Sequence, residues 1–210
     1  MASPSSQSTC RKPTGKAFLV VDMQRDFLPG GTLALPTQHT ATLAERLAEH
    51  IRQPAFNQHY DALVFTQDWH PANHASFQDQ GGPWPAHCVA GTAGAKLASP
   101  LQALALPGAG GVPVIIQRKG TMQDCDSPSA FSDNGRQPSG LAAKLRSAGI
   151  KALDVTGVAL EVCVKATVLD ALKAGFVVRV LPNFCAGLDK AGATAALAAL
   201  QRAGAHIEPG

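Results

Sequence analysis

The chain has 210 residues, 45% hydrophobic and 16% charged, with a formal net charge of +3. This suits a globular domain with a sizeable core, and the charge is too small and too scattered to argue for nucleic acid or an anionic membrane as partner. No apolar run approaches the length of a membrane span, and no signal-type apolar region lies near Met1. The five cysteines (Cys10, Cys88, Cys125, Cys163, Cys185) are odd in number, widely spaced and form no C-x-x-C. That argues against a disulfide framework and a Cys-rich zinc site, and points to a reducing, cytoplasmic setting.

Residues 1–15 are rich in Ser and Thr and lack apolar periodicity, so they read as a flexible tail ahead of a single domain over 16–210. The almost wholly apolar run at 17–22 reads as a buried strand. Thr37 to His50 reads as an amphipathic helix, with Leu43, Leu47 and Ile51 at helical spacing. A strand at 62–67 leads into a long irregular stretch, 68–111, rich in Gly and Pro. Such long loops inside compact domains usually carry function. A strand at 112–117 and a loop holding DCDSPSAFSDNG follow. Pro138 and Ser139 then open a helix over LAAKLRSAG, stopped by Gly149. Strand 152–157, helix 161–174, strand 176–181 and helix 190–203 complete the pattern. Strands alternating with helices imply a three-layer α/β/α sandwich around a mainly parallel, Rossmann-like sheet.

Polar residues with chemical potential stand at the ends of these strands. In open α/β sheets, ligands bind outside the carboxyl ends of the strands, where strand order reverses. Asp22 ends AFLVVD at the lip of a buried strand, where poor solvation favours the protonated carboxyl and a proton-transfer role. Its neighbour Asp26 is the better candidate for a turn cap. Lys119 comes just after VPVIIQ and could hold a carboxylate or thiolate charged. Cys163, in GVALEVC, sits just inside an expected helix N-terminus, where free amides and the positive helix end lower a thiol's pKa and can hold an oxyanion. Each residue alone has an ordinary structural reading: cap, surface lysine, buried cysteine.

Asp68 and His70, in QDWHP, leave an extended segment on the same side, as a pair of metal ligands would. His87, in WPAHC, is the best third ligand; Asp plus two His leaves coordination positions open for water and substrate. His74 is open as ligand, supporting partner or exposed residue. Phe27, Trp69, Trp84 and Phe131 fall in loops beside this polar set, as the walls of a cleft for a planar ring would.

With these residues in view, the chain resembles the nicotinamidases of the isochorismatase-like cysteine hydrolase superfamily. The resemblance runs from about Lys16 to His206, through VVDMQRDFLPGGTLAL, TQDWHPANHASF, WPAHCVAGTAGAKL, RKG and GVALEVCVKAT in order. It implies deamidation of nicotinamide to nicotinate and ammonia in NAD salvage, with pyrazinamide as an analogue, through a thioester. It implies a triad of Asp22, Lys119 and Cys163. The metal would be divalent, zinc ahead of iron or manganese, on Asp68, His70 and His87. It also implies a cis peptide at Val158–Ala159, an oxyanion hole from the Ala159 and Cys163 amides, and substrate contacts from Phe27, Trp84, Val158 and Ala159. Leu160 and Glu161 depart from the G-x-A-T-D of many bacterial members and look more like eukaryotic ones. His74, Ser76 and Asp79 leave open whether a further ligand lies between His70 and His87. Another small-amide hydrolase, a metal-water hydrolase and a non-catalytic binding protein are the alternatives. A homo-oligomer is left open.

Overall fold

A computed structural model of the chain describes residues 12–36, 40–133 and 137–209. Most of the expected tail, Cys10 and the first three residues of the expected helix at Thr37 lie outside the described residues.

The apolar run of β1 (Lys16–Val21) forms the centre of a six-stranded sheet. Around it lie β2 (Ala62–Asp68), β3 (Val114–Lys119), β6 (Ala152–Gly157), β7 (Val177–Cys185) and β8 (His206–Ile207). The order is β3-β2-β1-β6-β7-β8 and every pairing is parallel. Strand order therefore reverses at β1, which opens a crevice between the carboxyl ends of β1 and β6.

Side-chain alternation along β1 divides the core in two. Phe18 and Val20 face one side, where they meet Leu43, Leu47 and Ile51 of α1 (Thr40–Arg52). The short helices α2 (Phe56–His59) and α3 (Ser99–Gln102) complete this layer. Ala17, Leu19 and Val21 face the other side, against α4 (Leu141–Ser147), α5 (Lys165–Lys173) and α6 (Lys190–Arg202). The result is the three-layer sandwich expected from the sequence.

Several elements differ from the sequence reading. The loop after β3 contains a small antiparallel hairpin, β4 (Ser132–Asp133) with β5 (Gln137–Pro138). Pro138 thus sits in an extended strand and not at a helix start; α4 begins after Gly140. A proline's fixed φ suits either place, and its missing N–H is tolerated on an edge. The helix expected from 161 opens with a π-helical turn, Leu160–Val164, and only then becomes α5. β7 runs four residues past the expected end, and β8 was not foreseen.

Candidate active site

Asp22 is the first residue beyond β1, with φ +48, and is fully buried. Its carboxylate is turned back across the sheet: the Thr66 hydroxyl donates to Oδ1 at 2.5 Å and accepts from the Asp22 amide at 3.0 Å. Oδ2 lies 2.8 Å from Lys119 Nζ but accepts no aligned hydrogen bond, which leaves a lone pair available. Asp68 and Lys119 are register partners at the last residues of β2 and β3, so Lys119 Nζ meets Asp68 Oδ1 at 2.5 Å. The same ammonium lies 3.4 Å from Cys163 Sγ. One fully buried cation thus touches two carboxylates and a thiol.

The electrostatics follow from this packing. Burial opposes the Lys119 ammonium, but Asp22 and Asp68 outweigh it and hold its pKa well above the ordinary range. Asp68 is held below the usual carboxylate range despite burial, by Lys119 and His70. Burial, reinforced by the Asp68 charge, pushes Asp22 up against the pull of Lys119. Burial also pushes the Cys163 thiol up, with Asp22 and Asp68 adding to it. This corrects the sequence expectation of a lowered thiol pKa. The expected helix end is a π-turn, and two carboxylates stand beside the sulfur, so the resting group is a thiol that needs a base.

The turn carrying Cys163 begins at a cis peptide between Val158 and Ala159. The Val162 and Val164 amides both donate to Ala159 O at 3.1 Å, and the Leu160 amide donates to Ala186 O at 2.9 Å. Among the described residues, the Ala159 amide donates to no backbone carbonyl.

Beside the thiol, one ligand atom each from Asp68, His70 and His87 lies within 4.8 Å of the others. His70 Nδ1 pairs with Gly120 O, and His87 Nδ1 with Pro85 O, both at 2.8 Å. A carbonyl can only accept, so each Nδ1 carries a proton, and on a neutral ring this leaves the Nε2 lone pair facing the centre of the cluster. Burial opposes a charged His70, but Asp68, 3.7 Å from its Nε2, outweighs burial and raises its pKa. Burial holds His87 below the ordinary imidazole range, in the neutral, ligating form. Gly120 allows this arrangement: its φ is +62, and a Cβ there would strike the His70 ring. The donor set and tautomers fit a divalent metal ion. His74 has both ring nitrogens engaged outside this cluster. Its Nε2 pairs with Cys125 O at 3.0 Å, its Nδ1 with Ser76 Oγ at 2.7 Å, and its ring lies 4.1 Å from that of His70.

These groups open into a cavity of about 540 Å³ including its mouth. Phe27, Trp84 and Ala159 line it, as the sequence suggested, together with Leu33, Leu35 and Leu188, which it did not. Val158 is fully buried in the α1-side core and does not line the cavity. Trp69 lies on the far side of the segment from Asp68 and His70, under the Arg118 guanidinium at 3.7 Å. Phe131 packs on Phe176 beneath the α5 layer.

Two further residues were missed. Gln24, fully buried, donates to Asp68 O at 2.7 Å and Ala95 O at 2.9 Å, and accepts from the Asp68 amide at 2.8 Å. It fixes the strand end that presents Asp68. Asp133 accepts from Gly120 N at 3.1 Å and from the Thr121 hydroxyl at 2.7 Å, tying β4 to the residues just beyond β3. Asp26 is not the cap the sequence suggested: it lies inside a short 3-10 turn, Arg25–Phe27, and its carboxylate accepts from Cys88 N at 2.7 Å, tying that turn to the segment that carries His87.

The model of the isochorismatase domain family matches residues 16–208. The chain belongs to the isochorismatase family. Among its relatives, a nicotinamidase of Escherichia coli is 38% identical over 191 residues, covering 83% of this chain and 84% of the relative. A nicotinamidase/pyrazinamidase of Mycobacterium tuberculosis is 32% identical over 195 residues, covering 91% and 97%. Similar family structures include PnC1 from L. infantum in complex with nicotinate, with TM-score 0.82, 38% identity, and coverage of 93% and 92%. The pyrazinamidase of Pyrococcus horikoshii in complex with zinc has TM-score 0.80, 38% identity, and coverage of 93% and 99%.

Proposed function

We propose that this protein is a nicotinamidase, hydrolysing nicotinamide to nicotinate and ammonia through a thioester on Cys163. The observation that carries the reading is the single buried ammonium of Lys119, in contact with Asp22, Asp68 and Cys163 at once. It joins a nucleophile and its base to the metal-ligand cluster at one end of an apolar cavity. The relatives named nicotinamidase, and the related structure holding nicotinate, support the choice of substrate. Pyrazinamide, a flat azine carboxamide, is the expected analogue.

Asp22 takes the Cys163 proton on Oδ2 as sulfur attacks the carboxamide carbon. The carbonyl oxygen gains the negative charge, and the Ala159 and Cys163 amides donate to it. The C–N bond breaks as Asp22 passes its proton to the departing nitrogen, releasing ammonia. Water then adds to the thioester and gives a proton to Asp22. The C–S bond breaks, nicotinate leaves, and the thiol is reprotonated. Lys119 holds the charge balance throughout. Asp68, His70 and His87 would hold a divalent ion, zinc in our reading by analogy with the Pyrococcus structure. When bound, that ion supplies a Lewis-acid contact for the ring nitrogen and so orients the ring. Phe27, Trp84 and the aliphatic wall exclude water and hold the ring flat.

We read 16–210 as one such domain and its setting as cytoplasmic. Among the described residues, no helix is long and apolar enough to cross a membrane. The function is tested by chromatographic detection of nicotinate formed from nicotinamide. Acid-quenched turnover should also leave a nicotinoyl group on the Cys163 peptide, detectable by mass spectrometry. Nicotinate without any such adduct would overturn the thioester route.

A further inference from the structure

Glu161 takes no part in the chemistry above, yet its carboxylate is fully engaged. Both oxygens lie 3.0 Å from the Leu188 amide, and Oε1 lies 3.4 Å from that of Asp189. The approach is so close that a Cβ on buried Gly187 would collide with the carboxylate. The same loop is fastened to the nucleophile turn at two more points, Leu160 N to Ala186 O and Ala186 N to Gly157 O. Asp189 then caps α6, accepting from Gly192 N at 2.8 Å. A carboxylate two residues before Cys163 therefore holds the loop that presents Leu188. Leu188 and Val162, the residue between Glu161 and Cys163, both line the cavity.

We propose that Glu161 is a positioning residue for substrate selection: it clamps Leu188 as the wall beside Cys163, so that only a slim, planar carboxamide reaches the sulfur. Its negative charge also suits the amides at the start of α6, which strengthens the clamp. The inference rests on the amidase reading for its substrate, but the wall itself acts on anything approaching Cys163.

The test uses Glu161→Ala, Glu161→Gln, Leu188→Ala, Gly187→Ala and the Glu161→Ala/Leu188→Ala double variant. One readout is the kcat/KM ratio for a ring-methylated nicotinamide against nicotinamide. The other needs no turnover: the rate ratio of Cys163 alkylation by iodoacetanilide against iodoacetamide, resolved by peptide mass spectrometry. Glu161→Ala, Gly187→Ala and Leu188→Ala should each raise both ratios toward the bulky reagent by at least about fivefold, the scale on which apolar pockets discriminate small substituents. Glu161→Gln, which keeps an acceptor for Leu188 N, should stay near wild type. In the Leu188→Ala background, Glu161→Ala should add nothing, because both act through one side chain. Unchanged ratios in Glu161→Ala, or effects that multiply in the double variant, overturn the proposal. If Glu161→Ala does not fold, Gly187→Ala against Leu188→Ala gives the same comparison. A wild type that makes no nicotinate while the alkylation ratios shift refutes the amidase reading and leaves the clamp standing. The reverse pattern refutes the clamp alone.

Discussion

Replacing Lys119 by Met keeps most of the side chain's length and removes its charge and donors. In the structure that charge faces Asp22 Oδ2 at 2.8 Å and Asp68 Oδ1 at 2.5 Å, with the lysine fully buried. At an effective dielectric of about 20, each contact is worth about 6 kcal/mol of gross attraction. Desolvation of the three ions offsets much of this. The expected net loss is the one measured when a buried ion pair is broken from one side, about 3–5 kcal/mol. One cation serves two carboxylates here, so the loss belongs at the upper end of that range. Urea unfolding of chelator-treated wild type and Lys119→Met measures it, with chelation preventing a bound cation from replacing the lost charge. In the proposed mechanism the substitution also removes the charge that balances the reacting centre, so kcat should fall at least about 100-fold. A variant that unfolds within about 1 kcal/mol of wild type and keeps kcat within about tenfold would refute both the buried-cation argument and the role given to Lys119.

Asp68→Ala or His87→Ala should lose bound metal, read by elemental analysis, and raise KM for nicotinamide; unchanged metal content in both would show that the ligand assignment is wrong. Gln24→Leu deletes three buried hydrogen bonds and strands the Asp68 amide. It should cost about 2–4 kcal/mol in denaturant unfolding and weaken metal retention, and a neutral result would remove Gln24 from the account. At the far end of β6, Asp154 accepts from the Tyr60 hydroxyl at 2.7 Å and pairs with Arg179. Burial opposes its charge, but Arg179 and Tyr60 outweigh it and hold its pKa below the ordinary value of 3.8. A carboxylate depressed in the folded state contributes stability above its unfolded pKa and loses it as pH falls through the folded one. Asp154→Asn should therefore destabilise the protein at neutral pH and flatten its acid unfolding below about pH 4; an unchanged acid limb would contradict the assignment.

Much of the site was legible because a parallel sheet leaves few places for polar residues to converge. Asp22, Asp68 and Lys119 stand at strand ends, and a βα alternation read from periodicity alone brings those ends together. The orientation of Trp69 was in principle legible as well. If Asp68 and His70 leave an extended segment on one side, the residue between them must leave on the other. Phe131 sits in a loop with no periodicity to say which core it joins. The hairpin was hidden because two-residue strands carry no alternation, and Pro138 fits a helix start equally well. Gln24 could not be found, since its partners lie 44 and 71 residues away in sequence and it reads as an ordinary loop glutamine. The raised thiol pKa was missed for a related reason: a local helix-end argument does not see Asp22 and Asp68 arriving from other strands.

Ammonia release from nicotinamide, compared between wild type and Cys163→Ala with metal content assayed on both, tests the central claim most directly. Full metal occupancy is expected in both proteins, with ammonia released by the wild type alone. Equal ammonia release by the two proteins would contradict the claim and place the chemistry on the metal cluster without Cys163.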